Sequence, residues 1–447
     1  MSVLQSRPVL VFVFAALLAS SFAAGSCGRS GLAESLPASA HQPTRQPDRV
    51  HLTWTGDPAH SQAVTWRTTP GVASAWAEIA VSEDGPLFVD KARRVDAVSE
   101  IFESDLGKAA YHTAELSGLE PDTLYVYRVG DGETFSEWRQ FRTVADSAAP
   151  LEFLYVGDAQ NDVFSLWSRL IREGYSTAPR ADFIIHAGDL INRANRDAEW
   201  GEWFLAAGWI FGRLPSLPTP GNHEYEKNEL TQQRTLSRHW RPQFALPQNG
   251  PAGLEETCYY LDIQGVRIVA LNTNERQQEQ AEWLDKLLSD NPNRWTVVTH
   301  HHPIFSAAEG RDNPEVRALL QPIYDKHKVD IVLTGHDHTY ARSNLTVGAN
   351  VQAGQAGTVY VVSVSGPKMY ELERQGWMQR AAEDTQLFQK IRIDGDRLRY
   401  ESYTARGALY DAFELLKQDG APNRMIQAVP DTQENLRQPA ASAPRAD

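Results

Sequence analysis

Five times in this chain a strand-like segment runs into a short ending built from aspartate, asparagine, glutamine or histidine. "LEFLYV" leads into "GDAQND" (Asp158, Gln160, Asn161) and "ADFIIHA" into "GDLIN" (Asp189). "GNHE" follows with Asn222 and His223, then "WTVVTHHHP" with His300, His301 and His302, then "VDIVLTGHDH" with His336 and His338. Segments between them, such as "VFSLWSRLIREGY", have helical period. Strands alternating with helices predict a layered α/β domain, a β-sheet core flanked by helices. In such sheets the side chains beyond the strands' carboxyl ends converge on one crevice. The two histidines of "GHDH" cannot share a helix face, but from a strand or loop end they can point the same way.

Taken singly, each ending has an ordinary explanation. An aspartate after a strand often caps a helix, and a lone histidine is usually a satisfied polar group. Five such endings in order are not explained by caps. Carboxylates, an amide oxygen and imidazoles together suit Mn, Zn or Fe without any thiolate. The ligands are too many for one tetrahedral ion, and two ions sharing a bridging carboxylate fit the number.

The 447 residues carry a net charge of −14, which disfavours a nucleic-acid partner. At the N-terminus, Arg7 precedes the apolar run "VLVFVFAALLASSFAAG", as in a secretory signal over residues 1–26. Small residues then lead to Cys27, a candidate lipid anchor, with ordinary cleavage near Ala24 or Ser26 as the alternative. This predicts an exported protein, either periplasmic or anchored to the outer membrane as a lipoprotein. Residues 27–47, rich in Ser, Ala, Gln and Pro, read as a flexible linker. The other cysteine, Cys258, lies in the strand-like "TCYYLDI" and reads as buried.

Short alternating strands separated by Gly, Pro and Asp turns fill residues 48–146. The sharpest is "LEPDTLYVYRV", where a tyrosine hydroxyl is placed to brace the Pro-Asp turn. This all-β segment resembles a fibronectin type III sandwich and shows no chemistry of its own. The α/β domain occupies 150–417, with a hairpin around "DGD", and residues 418–447 read as a polar, disordered tail.

The ordered ligand set resembles the calcineurin-like metallophosphoesterases. With the sandwich in front, the chain is most similar to bacterial relatives of the purple acid phosphatases. The resemblance covers most of residues 48–410. It implies hydrolysis of phosphate esters, foremost monoesters, by a metal-bound hydroxide, with a small phosphorylated molecule as substrate. A phosphodiesterase of the same fold and a non-catalytic exported binding protein are the alternatives. The resemblance places Asp158, Gln160 and His338 on one metal and Asn222, His301 and His336 on the other, with Asp189 bridging. His223 would contact phosphate or protonate the leaving group. His302, His300 and Asn161 would face substrate or support the ligands, with His300 the fallback for His301. Two departures stand out. Gln160 replaces a common histidine, and Asn192 stands where purple enzymes have the tyrosine whose tyrosinate gives the colour. The Trp- and Arg-rich "NRANRDAEWGEWF" reads equally as pocket lining or packing, Glu224 and Tyr225 as supports, and Lys368 as structural or as a phosphate contact.

Overall fold

The computed structural model describes residues 36–348 and 356–437. The signal-like segment, Cys27 and the last ten residues lie outside them. All described residues belong to one compact unit, and none of its helices is long and apolar enough to cross a membrane.

The N-terminal lobe is a sandwich of two four-stranded antiparallel sheets. One orders the strands Asp48–Thr53, Ser61–Thr68, Gly107–Ser117 and Val98–Ser104, and the other Arg93–Asp96, Trp76–Val81, Leu124–Gly130 and Arg139–Arg142. Their inner faces bury Leu52, Val64, Trp66, Ile79 and Tyr127. The Tyr125 hydroxyl accepts the Glu120 amide at 2.8 Å, bracing the turn as its Pro-Asp context suggests.

The second lobe stacks two seven-stranded mixed sheets. In the first, Leu151–Val156 lies between Phe183–His186, parallel, and Leu387–Asp394, antiparallel. In the second, Val266–Ala270, Trp295–His300, Ile331–Thr334 and Val359–Val362 run parallel. Side chains alternate across that sheet. Ile268, Val297 and Leu333 enter the core shared with the first sheet. Val269, Val298 and Val332 face outward onto Leu284, Leu288 and Leu320 of the helices Gln277–Ser289 and Pro314–His327. Because both sheets are buried on these faces, their strands read as continuous apolar runs.

Two expectations are corrected. Within the expected linker, Ala38–His41 forms a 3₁₀ turn, and His41 is buried. The His41 carbonyl accepts Arg67 Nη2 at 2.8 Å, and its ring fills a notch at Gly201, where a Cβ would lie 2.3 Å from Nδ1. Within the expected disordered tail, Ala421–Gln427 is an edge strand on Leu409–Gln418. Arg437 then pairs with Asp384 at 2.9 Å.

Candidate metal centre

The five endings meet beyond the carboxyl ends of strands from both sheets. Two groups of donor atoms form there, Asp158 with Asp189 and His338, and Asp189 with His301 and His336; within each group the atoms lie within 4.8 Å of one another. Asp189 belongs to both. His301 Nε2 lies 3.2 Å from Asp189 Oδ2 and 3.2 Å from Asn222 Oδ1, with His336 Nδ1 3.0 Å away. On the other side His338 Nε2 is 3.7 Å from Asp158 Oδ1.

Backbone carbonyls fix which ring nitrogen faces the cluster. His301 Nδ1 donates to the Ala187 carbonyl at 2.8 Å, and His338 Nδ1 to that of Lys368 at 3.0 Å. A carbonyl only accepts, so each Nδ1 holds hydrogen and each Nε2 presents a lone pair inward. Around His301 Nε2, two further acceptors therefore converge, Asp189 Oδ2 and Asn222 Oδ1, while His336, whose Nε2 accepts from Arg311, holds its hydrogen on Nδ1. Such a convergence needs a proton or a cation. With no cation, burial opposes a charge on His301, but Asp189 and Asp158 outweigh it and raise its pKa to about 9. Burial lowers that of His338 to about 3, so this ring is already the neutral ligand form. Asp158 is pushed well up by burial, with Asp189 adding repulsion. Among the described residues no lysine or arginine pairs with Asp158 or Asp189. Buried carboxylates without a fixed countercharge, facing imidazole lone pairs, fit two cations.

The backbone is bent to make this arrangement. Asp158, Asp189, His336 and His338 all have positive φ, at 51°, 52°, 77° and 49°. Such conformations cost non-glycine residues roughly 1–3 kcal/mol each and persist only where surroundings enforce them. Here Glu224 does much of the enforcing. Its buried carboxylate accepts the amides of Asp189 and Leu190 at 2.8 Å and of Gly221 at 2.7 Å, tying the "GDL" and "GNHE" endings together. Gly221 and Gly335 permit the close approach, since a Cβ on either would stand 2.2 Å from a carboxylate oxygen of Asp189 or Asp158.

The remaining expected residues fall in different places. Gln160 is buried, its Nε2 2.8 Å from His338 Nε2, and its Oε1 has no partner. Turning the amide by half a rotation would present that oxygen to the cluster. His302 Nδ1 bonds Thr273 Oγ1 at 2.8 Å, and its ring centroid is 4.3 Å from that of His336, at the rim. Asn161 has a buried Oδ1 without a partner. His300 is corrected. As the last residue of its strand it points to the helix side, stacked on Tyr324 with centroids 6.2 Å apart. It reaches the site only through Nδ1, bonded to the His302 carbonyl at 2.8 Å.

His223 overlooks the cluster. Its amide donates to Asp189 Oδ1 at 2.8 Å, its Nδ1 to the Asn192 carbonyl at 2.6 Å, and its Nε2 is 4.0 Å from Asp189 Oδ2. Beside it opens a pocket of about 610 Å³, lined by Asn192, Asn195, Arg196 and Arg238, and by Asp105 from the sandwich. The sandwich thus contributes to the site mouth, contrary to the sequence reading. The Trp- and Arg-rich segment does both things expected of it: its polar residues line this pocket, and Trp200, Trp203 and Phe204 are core. Arg311, which no motif marks, lies against the cluster through Asp337 and His336.

Comparison with known proteins agrees with this geometry. Residues 47–143 match the purple acid phosphatase N-terminal domain family and residues 151–340 the calcineurin-like phosphoesterase family. An uncharacterised protein of Mycobacterium tuberculosis is 25% identical over 340 residues, 67% of this chain and 63% of that one. The match thus spans less than two thirds of that relative. Probable purple acid phosphatase 20 of Arabidopsis thaliana is 24% identical over 320 residues, 68% of this chain and 69% of that one. The structure of purple acid phosphatase PPD1 from yellow lupin seeds superposes with a TM-score of 0.70 at 19% identity, over 83% of this chain and 74% of that one, and so shows the same fold. The chain thus carries a purple acid phosphatase N-terminal domain followed by a calcineurin-like phosphoesterase domain.

Proposed function

We propose that the protein hydrolyses phosphate esters, foremost monoesters, with a pair of transition-metal ions. The observation that carries this reading is the sharing of Asp189 by two donor groups. Asp158, His338 and Gln160 would hold one ion, Asn222, His301 and His336 the other, and Asp189 both. Mn, Zn and Fe suit this donor set. Such a pair supplies Lewis acidity toward phosphate oxygens and acidifies water. The chain's own residues do the rest. Glu224 fixes the ligand loops. Asn192 holds His223 with Nε2 turned to the cluster, where a proton can pass to the departing ester oxygen. The adjoining pocket receives the leaving group. The protein is expected to hold about two transition-metal ions per chain. Chelation is expected to end hydrolysis of p-nitrophenyl phosphate, and Mn or Zn to restore it. Undiminished activity in metal-stripped protein would refute the reading.

The segment before the described residues supports export with a lipid anchor at Cys27, since a short apolar run and small residues precede that cysteine. Native protein is expected to partition into detergent, and Cys27→Ser to release it. Water-soluble wild-type protein beginning near Ser26 would show ordinary secretion instead.

A further inference from the structure

Two cations gather at the rim of the centre without a substrate to explain them. Arg311 sits on a loop held in place by backbone pairing, the Glu309 amide to the Glu371 carbonyl at 2.9 Å and the Glu373 amide to the Ala307 carbonyl at 3.0 Å. Its Nε pairs with Oδ1 of the fully buried Asp337 at 3.1 Å, and its guanidinium touches His336 Nε2. The guanidinium carbon lies 5.2 Å from the Tyr370 ring centroid, and Lys368 Nζ lies 5.3 Å from the same centroid. Tyr370 in turn packs on His338, with centroids 4.6 Å apart. Lys368 has no carboxylate partner among the described residues.

We propose that Arg311 and Lys368 form the binding site for the doubly charged phosphoryl group of a monoester and set a preference for monoesters over diesters. This rests on the metallophosphoesterase reading. His336 turns Nδ1 toward His301 and the cluster. With Nδ1 committed to a cation, the neutral imidazole must hold its hydrogen on Nε2. Arg311 then cannot donate to Nε2, so two N–H donors face one gap, which only an acceptor can fill. Lys368, unpaired beside the same ring, adds charge of the same sign. An anion is the complement, and the charge count selects among anions. A monoester near neutral pH holds close to two negative charges and three terminal oxygens. Two of those oxygens can meet the metal pair, and the third is left for the guanidinium. A diester has one charge and two terminal oxygens, and nothing remains for Arg311 to bind.

The test uses metal-loaded wild-type protein, Arg311→Ala, Arg311→Lys and Lys368→Ala. Hydrolysis is followed with p-nitrophenyl phosphate and bis(p-nitrophenyl) phosphate, and inorganic phosphate binding by calorimetry. Arg311→Ala is expected to lower kcat/KM for the monoester about 10²–10³-fold and to leave that for the diester within about threefold, with metal content unchanged and a lower melting temperature, since the buried Asp337 loses its cation. Lys368→Ala is expected to cost the monoester about tenfold, and Arg311→Lys to recover part of the alanine loss. Phosphate binding should weaken in parallel. Equal loss for both substrates, or phosphate bound as tightly by Arg311→Ala as by wild type, would overturn the proposal. Wild-type protein that holds its metals and binds phosphate but hydrolyses neither ester would instead refute the phosphoesterase reading.

Discussion

Replacing Asp189 with alanine is expected to empty both metal positions and abolish hydrolysis, whereas replacing His223 with alanine is expected to keep the metals and slow turnover about 10²–10⁴-fold. The contrast follows from what each residue touches. Asp189 is the one residue common to both donor groups. It also holds His223, whose amide donates to Oδ1 at 2.8 Å. Without this carboxylate His301 loses the partner 3.2 Å away that keeps its ring aimed inward. His223 lies outside both groups, and the Asn192 carbonyl 2.6 Å from Nδ1 holds the ring from the pocket side. Its loss should fall hardest on alkyl phosphates, whose leaving alkoxide needs a proton, and less on p-nitrophenyl phosphate. Metal content by elemental analysis, with kcat for both substrate types, decides the matter. If the His223 variant loses metal, it is a ligand. Equal slowing of both substrates would make it a phosphate contact. An Asp189 variant that keeps its ions would show that the two positions do not depend on a shared carboxylate.

The candidate ligands were legible because each follows its strand directly. A strand buried on both faces announces itself by an unbroken apolar run, and the residues just past its end have only one crevice to enter. Alternation then separates His300 from His301: one turns to Tyr324, its neighbour to Asp189. The hairpin around Gly395 was equally local, its φ of 56° being the kind a glycine accommodates. What stayed hidden depends on long-range contacts. Arg311 reaches His336 only because its loop pairs with residues 371–373, some sixty positions on by sequence. Asp105 reaches the pocket only because the sandwich docks on the second lobe. The strand Ala421–Gln427 was masked by its place at a sheet edge, where neither face is buried and no apolar alternation is needed. The docked Ala38–His41 was masked in the same way, since its anchors are Arg67 and the bare Cα of Gly201.

Docking of the two lobes rests on a second centre of charge, and Asp197→Ala is expected to destabilise the protein by about 3–5 kcal/mol. Asp197 begins the helix Asp197–Ala207 of the second lobe, whereas Arg49 and Arg67 belong to the sandwich. Arg49 grips the carboxylate through both Nη atoms at 2.8 Å, and Arg67 Nη1 adds a third bond at 3.0 Å. His239 Nε2 stands 3.3 Å from Oδ1. All three ionic side chains are only 3% exposed. Burial works against ionising Asp197, but Arg49, the His239 hydrogen bond and Arg67 outweigh it and hold its pKa far below the usual carboxylate range. Alanine would remove the anion and leave two guanidinium groups facing each other out of water, with only the Asp48 carboxylate still on Arg67. Replacing Arg49 by methionine together with Asp197 by leucine should cost less, because no charge is stranded on Arg49. Glu199, on the helix that Asp197 begins, accepts the Asn192 and Arg193 amides at 2.9 and 2.7 Å and so anchors the loop that presents Asn192 to His223, and the Asp105 carboxylate accepts the Asp197 amide at 2.8 Å. Turnover of the Asp197 variant should therefore fall before the fold is lost on warming. Chemical denaturation of the variants measures the first effect, and activity followed against temperature the second. A loss under about 1 kcal/mol, the size of an exposed pair, would show that water enters the lobe interface and screens these charges.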